Sequence, residues 1–240
     1  MPMARYAHHA RLPMHSLQKV AIILCALIAT LVLIFTIGTT ARAAEPPTAD
    51  QVASRVQAFY NQTRTFQARF QQDYTVKAFN KRKRSTGQVC FERPGKMSWK
   101  YDNPNGNRVV SNGATLKVYE KDNKQMFEQP INDSQYPAAL AFLMGKGDLK
   151  KTFTLRLLDA KRMNFEGGYV LEGTPKSPTP AYQKVLMYVD ASTAQVRRML
   201  ILDAQGNRNM FTFDNPVVNT SIPSGEFNFD PPKGTTIVHP

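Results

Sequence analysis

From residue 48 onward the order of apolar and polar positions divides the chain into one helix followed by a series of strands. Thr48-Ala-Asp-Gln51 has the form of a capping box with Gln at its fourth position. Val52, Val56, Phe59 and Tyr60 then recur at helical spacing, with Gln51, Arg55, Gln57 and Asn61 on the other side. This predicts an amphipathic helix ending near Thr63. At Phe66 the period drops to two. Phe66, Ala68 and Phe70 alternate with Gln67, Arg69 and Gln71, which predicts a half-buried strand continuing through Tyr74 and Val76. The basic cluster Lys81-Arg-Lys-Arg84 follows Asn80 and precedes Gly87. It reads as a solvated hairpin turn, with a docking patch for an acidic surface as the alternative.

Short strands then follow closely. Gly87–Arg93 alternates, and Met97, Trp99 and Tyr101 face one way while Ser98 and Lys100 face the other. Arg108–Ser111 leads into Asn112-Gly113, a hairpin signal, and Thr115–Lys121 pairs back before Gln125–Glu128. A helix is predicted over Tyr136–Met144, capped by Asp133 or Ser134 and stopped by Gly145 and Gly147. Strands resume at Thr152–Leu158, Tyr169–Glu172, Tyr182–Asp190, Gln195–Asp203 and Asn209–Asp214, with turns at Gly167-Gly168 and Gln205-Gly206-Asn207. The prolines of Thr174–Pro180 mark a loop or a break in an edge strand. The tail from Phe227 to Val238 reads as a turn and a last short strand.

About ten antiparallel strands and two or three helices make a mainly β domain. One curved sheet fits this pattern: an incomplete antiparallel barrel, or half-barrel, with helices on its concave side. A β-sandwich would give a similar strand count. The inner face of a half-barrel is wider than its own side chains fill, so it suits an acyl chain or other lipid.

The N-terminus carries a different signal. Residues 1–19 hold Arg5, Arg11 and Lys19 and no acid, and an uncharged apolar run extends from Val20 to Ile37. Small residues at Ala41 and Ala43 follow. This is the layout of a secretory signal, residues 1–43, cut between Ala43 and Ala44. An uncleaved anchor facing the same compartment competes, because the run is near the length that spans a bilayer; the nearby A-R-A-A favours cleavage. Residues 44–240 then form one domain of 197 residues, with 27 basic against 18 acidic side chains and a net charge of +9. That charge favours anionic surfaces, acidic partners or solubility. Export argues against nucleic acid as the partner.

Residue chemistry excludes several catalytic classes. Cys25 lies inside the apolar run, so Cys90 is the single cysteine of the exported part and no internal disulfide forms. Burial in the core is its expected protection. His8, His9 and His15 lie in the signal and His239 stands next to the end, so the domain has no internal histidine for a Ser-His-Asp or Cys-His system. Imidazole–thiolate zinc sites fail for the same reason. The chain carries no nucleophile elbow, phosphate loop or dinucleotide fingerprint, and no carboxylate pair stands out. The reading is a binding protein without cofactor or metal, and not an enzyme.

An ordered series of segments is similar to the LolA family, the periplasmic carriers of outer-membrane lipoproteins. The segments are T-F-Q-A-R-F-Q-Q (Thr65–Gln72), G-Q-V-C-F-E-R-P-G-K-M-S-W-K-Y (Gly87–Tyr101), R-V-V-S-N-G-A-T-L-K-V-Y (Arg108–Tyr119), P-A-A-L-A-F-L (Pro137–Leu143), M-L-I-L-D-A-Q-G-N (Met199–Asn207) and F-N-F-D-P-P-K-G-T (Phe227–Thr235). The resemblance implies a monomeric, lidded half-barrel in the periplasm that shields lipoprotein acyl chains. It also implies an inner-membrane lipoprotein-releasing transporter as donor and an outer-membrane acceptor. Arg93 matches the arginine implied to latch the lid when empty. Met97, Trp99, Leu140 and Leu143 would line the cavity, or equally serve as plain core. A longer C-terminal extension is expected to be missing. The related lipid-anchored acceptor is disfavoured by the poor context of Cys25. A carrier of another envelope lipid, or a basic interaction module docking through Lys81–Arg84, remains as an alternative.

Overall fold

Helix α1 (Ala49–Gln62) begins as its sequence dictates. The Thr48 hydroxyl accepts from the Gln51 amide at 3.2 Å, and the Gln51 side chain accepts from the Thr48 amide at 2.8 Å. This reciprocal pair satisfies two of the amide donors left open at a helix start. Val52, Ala53, Val56 and Tyr60 form its buried face. The helix stops where Thr63 turns extended and its hydroxyl donates back to the Phe59 carbonyl at 2.9 Å.

The computed structural model describes residues 45–131 and 147–239. The predicted helix at 136–144, with Leu140 and Leu143, lies outside them, and so does the segment containing Ala43 and Ala44. No helix among the described residues is long and apolar enough to cross a membrane.

The strands are β1 (Thr65–Val76), β2 (Lys81–Glu92), β3 (Lys96–Tyr101), β4 (Arg108–Asn112), β5 (Thr115–Glu120) and β6 (Gln125–Pro130). After a single helical turn, α2 (Leu149–Thr152), come β7 (Phe153–Leu158), β8 (Gly168–Pro175), β9 (Lys184–Asp190), β10 (Val196–Leu202), β11 (Arg208–Val218) and β12 (Thr236–Val238). They form one 12-stranded sheet in the order β12-β6-β5-β4-β3-β2-β1-β11-β10-β9-β8-β7. β7 and β12 are its edges, so the sheet is not closed.

The expected all-antiparallel pairing holds for every neighbour but one: β12 runs parallel to β6, with Ile237 opposite Met126. The tail explains the exception. It leaves β11, crosses the outer face of β3–β5, and reaches β6 already running in the same direction. Along that path Glu226 accepts from Ser98 at 2.7 Å and pairs with Arg108 at 2.9 Å, and Lys117 donates to the Phe229 carbonyl at 3.1 Å.

Register divides side chains cleanly between faces. Phe66, Phe91 and Met97 stand in one row across β1–β3; Ala68, Val89 and Trp99 form the next; Phe70, Gly87 and Tyr101 the third. All belong to the inner face. Gly87 is required there because a Cβ would run into the Phe70 ring, at 2.6 Å, and into the Lys100 carbonyl. Cys90 alternates with Val89 and Phe91, so it faces outward and is half-buried beside Gln67, not placed in the core as expected. The basic cluster is also relocated. Lys81–Arg84 is paired strand, and the turn is the preceding 3-10 segment Lys77–Phe79, closed by Asn80 at φ 48°.

Candidate functional site: the aromatic inner face

Rings dominate the inner face of β1, β2, β3 and β11. The Phe70 ring meets Trp99 edge to face with centroids 5.0 Å apart, and Phe211 lies 5.1 Å from Trp99 and 6.3 Å from Phe70, so the three rings touch one another. Phe91 lies 5.8 Å from Trp99, and Phe66 meets Phe213 edge-on at 5.7 Å. These separations are the favourable range for offset and edge-to-face pairs. Trp99 is 1% exposed and Met97 0%. The period-two reading had placed Met97, Trp99 and Tyr101 on one face, and they are there.

Trp99 carries an unmet cost. Its Nε1–H is buried and has no acceptor among the described residues. Leaving a buried donor unsatisfied costs about 1–3 kcal/mol. The ring is held there by its aromatic neighbours and not by its polar tip.

Arg93 opens the β2–β3 turn at one end of this face. Its amide donates to the Arg64 carbonyl at 2.9 Å, which ties the turn to the start of β1. The peptide bond to Pro94 is cis. Burial pushes the half-buried guanidinium below its ordinary pKa, while the nearby Tyr60 phenol works in the other direction. Tyr60 belongs to the last turn of α1. Burial raises its pKa strongly, against the Val196 amide, which donates to its hydroxyl at 3.2 Å, and the Arg93 charge. Beside Arg93 opens a groove of about 400 Å³, bordered by Thr65, Glu92, Asn219 and Ile222. Arg93 therefore stands between the aromatic face, the end of α1 and a solvent-filled groove. Met97 and Trp99 share the inner face of β3, and Arg93 lies in the turn that leads into that strand.

Sequence reading did not single out Phe66, Phe91, Phe211 and Phe213 as site residues. The alternation of each strand was visible, but β1 pairs with β11 across most of the chain, with Phe70 opposite Phe213. No local signal carries that contact. Toward the far end the inner face turns polar. Gln72, Tyr74, Lys83, Ser85 and Asn105 line a cavity of about 230 Å³ there.

An array of rings, an arginine and a polar mouth can bind apolar surface. It holds no nucleophile–base pair, and no metal-ligating cluster occurs among the described residues. The family model described as "Outer membrane lipoprotein carrier protein LolA" matches residues 61–230. An outer-membrane lipoprotein carrier protein of Cupriavidus pinatubonensis is 30% identical over 154 residues, 64% of this chain and 70% of the relative. One from Ralstonia nicotianae is 31% identical over 154 residues, covering 64% and 69%, and one from Dechloromonas aromatica is 29% identical over 180 residues, covering 75% and 84%. With the family model spanning most of the sequence, this chain belongs to the LolA family of outer-membrane lipoprotein carrier proteins, a family of carriers and not of enzymes.

Proposed function

We propose that this chain carries lipoproteins across the periplasm with their acyl chains laid against the aromatic inner face. Each buried methylene is worth about 0.8 kcal/mol, so one 16-carbon chain exposed to water costs on the order of 10 kcal/mol. A triacylated protein does not cross an aqueous gap at a useful rate against that cost. A carrier removes the cost by covering the chains, and must then give them up. The observation that carries this reading is the row of rings on one face of a sheet whose edges do not meet.

In this account residues 1–43 are removed on export, and residues 44–240, starting at Ala44, are the periplasmic carrier domain. Met97, Trp99, Leu140 and Leu143 line the cavity in this reading. Arg93 is the latch of the empty state. A guanidinium can bridge several carbonyls at a helix end, and charge-assisted bonds are worth roughly 1.5–3 kcal/mol. Cargo must repay that closure, which keeps affinity low enough for release. An inner-membrane transporter supplies the lipoprotein, and an outer-membrane acceptor takes it.

The test uses an environment-sensitive apolar dye bound to the purified protein. A triacylated lipopeptide should displace it, and the same peptide without acyl chains should not. Equal displacement by both peptides would end the lipid-carrier reading.

A further inference from the structure

The β1–β2 hairpin ends in a feature that cargo binding does not use. Phe79, in the 3-10 turn at its tip, is 72% exposed, where nearly every other large ring of the described residues is buried or half-buried. The tip is held in one conformation. Asn80 adopts φ 48° and its amide bonds the Lys77 carbonyl, while the Lys77 amide donates to the Asn207 side chain of the neighbouring β10–β11 turn at 2.9 Å. Solvent is thus offered a fixed aromatic ring.

Charge surrounds it. Residues 77–84 contain five Lys or Arg and no acid. Arg82 and Arg84 share the single carboxylate of Asp73, at 3.0 and 2.9 Å, which offsets one of their two charges. Lys77, Lys81 and Lys83 have no carboxylate partner among the described residues. The adjoining turns add Lys121, Lys124 and Arg208 against Glu120, Asp122 and Asp203. The Asp203 carboxylate is occupied by the amides of Gln205 and Asn207 in its own turn. A lysine-rich strand also guards a free sheet edge, and β2 has such an edge beyond Gly87, where its pairing with β3 ends. Edge protection accounts for lysines on β2. It does not account for an exposed phenylalanine at the tip.

An aromatic ring ringed by unpaired lysines is the composition that settles at the interface of an anionic bilayer. The ring enters the headgroup boundary while the ammonium groups lie against phosphates. We propose that this hairpin tip is a membrane-contact device, with Phe79 inserting into an anionic lipid surface and Lys77, Lys81 and Lys83 providing the attraction. The polar mouth lined by Gln72, Tyr74, Lys83 and Ser85 opens at the same end of the inner face. Contact through the tip would set that mouth beside the bilayer, at the opposite end from Arg93.

The experiment takes the exported protein and phosphatidylcholine vesicles with and without phosphatidylglycerol. These vesicles hold no lipoprotein, so the outcome is independent of the cargo reading. Wild type should co-sediment with the phosphatidylglycerol vesicles only, and less so as salt rises. F79S should partition about five- to tenfold more weakly, and the K81Q/K83Q pair about thirtyfold more weakly, with unchanged circular dichroism. F79W should emit at shorter wavelength when those vesicles are added, above the constant signal of buried Trp99. Wild-type partition by F79S, no emission shift in F79W, or equal binding to both vesicles would overturn the proposal. Competition by polyglutamate without any emission shift would assign the surface to an acidic protein instead, and would overturn it equally.

Discussion

The two halves of the inner face are built differently. In β7–β10 most inward side chains are aliphatic or thioether, among them Leu155, Leu171, Val185, Met187, Val189 and Met199, with Phe153 and the half-buried Tyr169 as the ring-bearing exceptions. Helix α1 covers this half, resting on β7 and β8 through Val52, Ala53 and Val56. In β1–β3 and β11 the inward side chains are mostly rings, and they are held by one another. Edge-to-face pairs add about 0.5–1.5 kcal/mol each beyond the area they bury. The aliphatic half has the character of a permanent core, with few polar atoms to satisfy. The aromatic half holds at its centre an indole N–H with no acceptor among the described residues. Such a local violation is expected where function, and not stability alone, has shaped the packing.

Substitutions can separate the halves. Trp99→Ala should cost about 3–5 kcal/mol and Met187→Ala about 2–5 kcal/mol in denaturant unfolding. Only the first should weaken lipopeptide binding by the protein that remains folded. If both variants bound alike, the division of labour would be lost. Gly87→Ala should cost about 1–3 kcal/mol by overpacking, because its methyl group meets the Lys100 carbonyl of β3 and displaces the Phe70 ring. Its effect should reach dye binding as well, since Phe70 touches Trp99.

Asp190 tests the aliphatic half at a turn remote from the rings. Its carboxylate accepts from the Ser192 hydroxyl at 2.6 Å and from the Ser192 and Thr193 amides at 3.0 and 2.9 Å. These bonds hold its pKa down at about 2. In the unfolded chain an aspartate titrates near 3.9. The stabilisation is therefore full above about pH 4 and is lost as pH falls toward 2. Asp190→Ala should cost about 1–2 kcal/mol at neutral pH, with the gap from wild type closing across that window and cargo affinity unchanged. The smallest effect on stability is expected at Arg93. Arg93→Leu should shift stability within about 0.5 kcal/mol, yet bind acyl ligand up to about 30-fold more tightly with a slower off-rate. Arg93→Lys should not restore release, since one ammonium lacks the guanidinium fork. An unchanged off-rate in folded Arg93→Leu would make Arg93 a structural residue of its turn.

What the sequence disclosed followed local physics. The Thr48–Gln51 box, the helix to Thr63, and the shared face of Met97, Trp99 and Tyr101 all rest on neighbours within a few residues, and each stands in the structure. Cys90 alternates with Val89 and Phe91, which puts it on the outer face; the pleat, and not the protection burial would give a thiol, sets its place. Its half-burial still raises the thiol to about pKa 11, mostly by desolvation, so little thiolate is present. The Lys81–Arg84 cluster was read as a turn because charge density resembles solvated loop. The real turn, Lys77–Asn80, has neither glycine nor proline to announce it. The parallel β12–β6 pair and the Phe70–Phe213 pairing are long-range contacts, which no periodicity encodes.

The central claim is that acyl chains lie on the aromatic half, and Trp99 can report this alone because it is the only tryptophan in the chain. A lipopeptide with bromine atoms along its acyl chains quenches indole emission only at contact range. Titrated into the wild-type protein, it should quench Trp99 in parallel with binding measured by calorimetry, while the unbrominated lipopeptide binds equally without quenching. Binding of the brominated ligand with Trp99 emission intact would place the acyl chains elsewhere and contradict the account.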